Sequence, residues 1–115
     1  MINIIIPSRY KLNKKLIRQR IESYLEKYYL EKNSTINIVF VGKRKMKGIS
    51  ANYKHENVAL PVLAFPYKSS AQNEYLLGEV FICYPQAVLL AAERSKRVDE
   101  MIVSLIEHGV DNLFK

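Results

Sequence analysis

This chain of 115 residues predicts an α/β (α+β) fold with a single mixed four-stranded sheet and elements in the order β-α-β-α-β-β-α-α. Three observations carry that reading. Short apolar runs closed by Gly, Pro or Asn alternate with longer stretches of helical periodicity, as when strands and helices interleave. Two of those runs, Val58 to Tyr67 and Leu76 to Cys83, follow each other closely, which favours antiparallel neighbours. The length suits one domain over residues 1–115, large enough to bury an ordinary core without cross-links.

Each element has its own signal. Ile2 to Ile6 is a β-rich run closed by Pro7, an initial strand. Asn13 stands where a helix cap is needed. Leu12, Leu16, Ile17, Ile21, Tyr24, Leu25 and Tyr28 recur at helical spacing, predicting an amphipathic helix over 13–31 with Tyr24 and Tyr28 on its core side. Its outer face is basic, with Lys11, Lys14, Lys15, Arg18 and Arg20; Asn33-Ser34 ends it. Thr35 to Val41 is the clearest strand, stopped by Gly42. Lys43-Arg44-Lys45-Met46-Lys47 opens a short helix to about Tyr53, which Gly48 weakens. Pro61 and Pro66 confine the next strand to a short edge position. Lys68 to Glu74 reads as a polar loop and Leu76 to Cys83 as a second buried strand. Pro85 opens a helix over 85–96, and Val98, Met101, Ile102, Leu105, Ile106, Gly109 and Leu113 trace a last one.

Composition narrows the function classes. Hydrophobic content of 49% and charged content of 25% are those of an ordinary globular protein. Cys83 is the only cysteine, so disulfide frameworks and cysteine metal clusters are excluded; within Val80-Phe81-Ile82-Cys83 it reads as a buried structural thiol. The opening run is too short and lacks the basic leader of a signal peptide, and no apolar run approaches the ~20 residues that span a bilayer. A cytoplasmic protein without a membrane partner is the expectation.

Charge is unevenly spread. Residues 1–54 hold 13 Lys/Arg against Glu22, Glu26 and Glu31, a balance of +10, whereas residues 55–115 balance at −3. A basic half joined to a mildly acidic one fits either a polyanion-binding face or a plain solvated surface. The C-terminal run is informative in another way. A helical His-Gly-x-x-His would set two imidazoles one turn apart for a transition metal. Here His108-Gly109 is followed by Asn112 in the second position, and a third would fall beyond Lys115. Asp111 shares a helix face with His108 and could add a carboxylate; alternatively His108 is a structural residue at the core's edge.

Three segments in order give the chain a resemblance to the YbeY family of rRNA-maturation endoribonucleases. Tyr53-Lys54-His55 followed by Val62-Leu63-Ala64-Phe65-Pro66-Tyr67 is similar to that family's Tyr-Arg-Gly and Val-Leu-Ser-Phe-Pro-Phe block. Leu76-Leu77-Gly78-Glu79-Val80-Phe81-Ile82-Cys83 resembles its Leu-Leu-Gly-Asp-Ile-x-Ile-Cys strand, and His108-Gly109 the start of His-Gly-x-x-His-Leu-x-Gly-x-Asp-His. The departures fall on the chemistry. The family's zinc is held by three histidines, of which only His108 is matched here. Its Arg matches Lys54, which keeps the charge but loses the planar fork. Its Thr-Asp becomes Leu60-Pro61 and its Ser becomes Ala64, while Glu79 keeps the acidic type.

The resemblance implies an RNA substrate, ribosomal RNA or the small ribosomal subunit, with zinc as family cofactor. With the ligand set incomplete, the expectation for this chain is no bound metal. Cleavage would then use the RNA's own 2′-OH, with His108 as general base and Lys54 stabilising phosphate charge. Lys43, Arg44, Lys45 and Lys47, together with Lys14 and Arg18, are the expected phosphate contacts. Tyr53 is the expected stacking ring; His55 is expected to be exposed. A catalytically silent RNA- or ribosome-binding assembly factor is the alternative, and a protein-interaction domain a blander one.

Overall fold

The apolar runs pair much as their sequence promises. The computed structural model describes residues 2–67 and 75–115; the polar loop expected at Lys68 to Glu74 lies outside them. Among the described residues the elements are β1 (Ile2–Ile5), α1 (Lys14–Leu25), β2 (Thr35–Val41), α2 (Lys43–Lys54), β3 (Val62–Pro66), β4 (Leu76–Cys83), α3 (Tyr84–Glu93) and α4 (Val98–Leu113). The strands form one mixed sheet in the order β1-β2-β4-β3. β1, β2 and β4 run parallel, and β3 is antiparallel to β4. β3 lies at the edge, with Pro61 just before it and Pro66 at its end, as the prolines predict.

α1 is shorter than its periodicity predicts. The Asn13 side chain accepts from the Leu16 N–H at 3.0 Å and starts the helix as expected. It stops at Leu25, tightens into a 3₁₀ turn over Glu26–Tyr28, and ends at Tyr29 in the left-handed region (φ 50°). Apolar spacing continues through that turn, which is why the sequence reads it as helix to residue 31. Likewise α3 ends at Glu93 rather than 96, with Ser95 left-handed (φ 53°) in the tight link to α4.

The sheet has two unlike faces. On one, Ile2, Ile4, Ile36, Ile38, Phe40, Val80 and Ile82 are buried under Ile17, Ile21 and Leu25 of α1 and Ile102, Ile106 and Val110 of α4. Two glycines allow the close fit. A Cβ on Gly109 would lie 2.6 Å from Val80 Cγ1, and one on Gly78 would lie 2.6 Å from the Phe65 carbonyl oxygen and 2.7 Å from Leu113 Cδ2. Only bare backbone lets α4 rest this low on β4. On the other face a smaller cluster of Val41, Met46, Ala59, Leu63 and Cys83 lies under α2. Burial, more than anything else, pushes the Cys83 thiol up, as suits a structural thiol. Among the described residues no helix is long and apolar enough to cross a membrane.

Candidate nucleic-acid interface

The face under α2 is only partly covered. Strand register aligns Asn3, Asn37, Glu79 and Phe65 in one row and Ile5, Val39, Phe81 and Leu63 in the next. The first row is polar for most of its length. Asn3 Nδ2 donates to Asn37 Oδ1 at 3.1 Å, and Asn37 Nδ2 donates to Glu79 Oε2 at 3.3 Å. Tyr67, just past β3, donates its hydroxyl to the other Glu79 oxygen. That hydrogen bond, followed by burial, pushes the Tyr67 phenol up to about 12. In the second row Ile5 keeps 51% of its surface exposed.

Helical spacing sets one wall of a groove here. Lys45, Ile49 and Tyr53 follow at four-residue intervals along α2 and face Phe65, Phe81, Tyr67 and Glu79 across ≈ 380 Å³. Tyr53, 65% exposed, meets Phe65 edge to face at 5.1 Å, and Phe65 meets Phe81 at 5.7 Å. Lys45 also lines a second, wider cleft of ≈ 700 Å³ with Arg9, Lys43 and Arg44, floored by Ile5, Val39 and Val41. Three cations thus occupy the first turn of α2, which holds no acid. The macrodipole favours the opposite sign there by about 0.3–1 kcal/mol per charge. Such a placement costs stability and attracts anions.

Not all the expected phosphate contacts come together. Lys43, Arg44 and Lys45 share that cleft, and Lys47 is exposed on the same helix. Lys14 and Arg18 belong to α1, on the opposite face of the sheet. Arg18 is in part a structural residue: its guanidinium donates to the Ile2 carbonyl at 2.7 Å and lies 3.9 Å from Glu22. Arg9 is the cation the sequence reading passed over; it lies 4.7 Å from the Tyr10 ring, which stacks on Tyr84 at 4.4 Å. The turn signal at Pro7 that ends β1 is what could have flagged it.

Lys54 is exposed in the last turn of α2, where a cation is favoured. His55, exposed as expected, closes the helix in the left-handed region (φ 57°), where the similar family block has glycine. The segment that follows is tied down from inside. Buried Ser50 accepts the Leu60 N–H on its hydroxyl at 3.4 Å, and Gln86 donates to the Ala59 carbonyl at 2.7 Å.

His108 is exposed on α4, not at the edge of the core, and lines a groove of ≈ 300 Å³ with Pro61, Val62, Leu90, Arg94 and Ser104. Lys54 does not line this groove. Asp111 does not join His108. Its carboxylate accepts the Tyr24 hydroxyl at 2.6 Å and the Tyr28 hydroxyl, with Lys27 Nζ at 3.3 Å. Burial raises its pKa, but the two hydroxyls and the ammonium together hold it below the ordinary carboxylate value. Tyr24 and Tyr28 are therefore half-buried hydrogen-bond donors to α4, and Tyr28 also packs against the main core as its spacing predicts. Among the described residues no three His, Cys, Asp or Glu side chains are close enough to hold a metal. The one motif imidazole and the neutral amide of Asn112 do not by themselves fit a zinc ion.

Comparison with known proteins points one way. The profile of the family described as Endoribonuclease YbeY matches residues 6–113. The endoribonuclease YbeY of Phytoplasma australiense is 32% identical over 83 residues, 70% of this chain and 58% of that protein. That of Janthinobacterium sp. (strain Marseille) is 32% identical over 75 residues, covering 65% and 49%. That of Dehalococcoides mccartyi (strain 195) is 28% identical over 128 aligned positions, covering 97% and 74%. The chain thus spans about half the length of the first two relatives. A Thermotoga maritima protein solved in solution shares the fold, with TM-score 0.67, 18% identity and coverage of 96% and 69%.

Proposed function

Because the chain belongs to the YbeY family, we propose that it binds RNA on the open face of its sheet and acts in ribosomal RNA maturation. The observation that carries this is the convergence of Arg9, Lys43, Arg44 and Lys45 on one cleft beside exposed aromatic rings. Cations neutralise successive phosphates, and the rings offer sequence-tolerant stacking to single-stranded bases. Lys47 and Tyr53 extend the contact along α2; Lys14 and Arg18, on the far face, meet only RNA that wraps the sheet. The partner is ribosomal RNA or the small ribosomal subunit, and the setting cytoplasmic.

In this reading the chain is a reduced ribonuclease that needs no metal. His108 takes the 2′-OH proton, and the 2′-oxygen attacks phosphorus while Lys54 stabilises charge on the phosphate. The P–O5′ bond breaks to leave a 2′,3′-cyclic phosphate and a 5′-hydroxyl protonated from water. One observation favours the second reading, a silent RNA- or ribosome-binding factor: the groove that His108 lines is formed with Pro61, Val62, Leu90, Arg94 and Ser104, and Lys54 is not part of it. Binding and cleavage of a labelled single-stranded RNA test both. Affinity should fall steeply with salt, and K43E/R44E should weaken it at least tenfold and flatten the salt dependence. The same variant should melt slightly higher, because it removes cations from a helix N-terminus. Binding without salt dependence would end the proposal. Cleavage in excess chelator that disappears with His108→Ala marks the metal-free nuclease; binding without cleavage marks the silent factor.

A further inference from the structure

We propose that the groove between α2 and the exposed end of the sheet is a nucleobase pocket selective for guanine in single-stranded RNA. The inference rests on the reading that this face binds RNA, and it adds which part of the RNA enters and what selects it. The groove's ≈ 380 Å³ lies within the roughly 300–1,000 Å³ typical of small-ligand sites. Its walls are Tyr53, Phe65 and Phe81; Tyr53, edge to face with Phe65, is mostly exposed and offers its ring to a stacking base. Lys45 stands at the junction with the wider basic cleft. A nucleotide whose phosphate meets Lys45 can therefore put its base among the rings.

Selectivity comes from Glu79. This carboxylate faces the groove and is oriented from both sides, by the Asn37 amide at 3.3 Å and by the Tyr67 hydroxyl. Asn37 is itself held by Asn3 at 3.1 Å. Each Glu79 oxygen thus accepts one bond from the protein and has a further lone pair to offer a ligand. An ionised carboxylate only accepts, so it selects for adjacent N–H donors. Guanine alone among the four bases offers two side by side, N1–H and the N2 amino group. Adenine and cytosine set one amino group next to a lone pair, and uracil flanks its single N–H with two carbonyl oxygens. Base edges unpaired in single strands are open to this kind of contact.

The test measures affinity of the full chain for a short oligouridylate and for the same oligomer with one central guanosine, inosine, adenosine or cytidine. The guanosine oligomer should bind about tenfold tighter than oligouridylate, as expected of a bidentate base contact. Inosine, which lacks only the 2-amino group, should lose most of that gain, and adenosine and cytidine should show little. Glu79→Gln should bring the guanosine-to-uridine ratio to one. Tyr53→Ala should weaken every base-bearing oligomer, with Tyr53→Phe restoring it. Lys43→Ala should weaken all oligomers while keeping their ratio. Equal binding of all the oligomers would overturn the guanine pocket and leave the RNA reading standing. Failure to bind any of them would overturn the RNA reading, and the pocket with it. The inosine comparison uses unmodified protein, so the outcome does not depend on any variant folding.

Discussion

The two faces of the sheet divide the labour of this molecule. Under α1 and α4 the face is sealed: Ile36, Ile38, Val80 and Ile82 are at most 1% exposed, and Gly109 brings α4 into contact with β4. Under α2 the face is half open, and its polar row and aromatic rings remain reachable. α2 also carries cations where its dipole disfavours them. The contrast separates what holds the fold from what the fold presents. Most of the apolar burial lies on the sealed face, so the open face is free to keep side chains that add little stability.

The largest expected difference is between the same deletion made on each face. Ile106→Ala, at a fully buried site on the sheet-facing side of α4, should cost about 2–5 kcal/mol by urea denaturation. Ile5→Ala, half exposed on the open face, should cost less than about 1 kcal/mol. Equal costs would break the division between faces. A sharper version uses glycine. Gly109→Ala puts a methyl 2.6 Å from a stiff strand valine, and overpacking of about 1–3 kcal/mol should outweigh the helix propensity gained. At Gly48, with nothing within 4 Å, the same change in α2 should stabilise by up to about 1 kcal/mol. Opposite signs on the two helices are the expected result in thermal melts.

A smaller effect concerns the seam between α1 and α4. The folded pKa of Asp111 is lowered, so its contribution is present above the unfolded carboxylate value and is lost as pH falls through the folded one. Asp111→Asn should cost about 1 kcal/mol at neutral pH, where the carboxylate accepts two hydroxyls at a partly exposed site. Its stability should then decline less than wild type on acidification. A wild-type acid limb no steeper than that of the variant would show that the seam contributes nothing.

Much of the architecture was legible because local signals were strong. Thr35–Val41 and Leu76–Cys83 were bounded to the residue, since each is an apolar run with turn residues on at least one side. Prolines put β3 at the edge, and Asn13 announced its own cap. The site was legible only in part. Lys43, Arg44, Lys45 and Tyr53 could be picked out by type, but Arg9, Phe65, Phe81 and Tyr67 join them through strand pairing, which no local window contains.

By itself, then, the sequence determined the order and kind of the elements, the edge strand and the basic character of α2, because those depend on neighbours within a turn or two of chain. Tertiary structure decided which basic residues share a surface, since α1 and α2 lie on opposite faces of the sheet. It also decided the partners of Asp111. At three residues' distance from His108 the carboxylate looked like its companion, yet it is held by Tyr24 and Tyr28, 87 and 83 positions away. A carboxylate takes the donors that packing brings to it, and helix packing is set by the whole core.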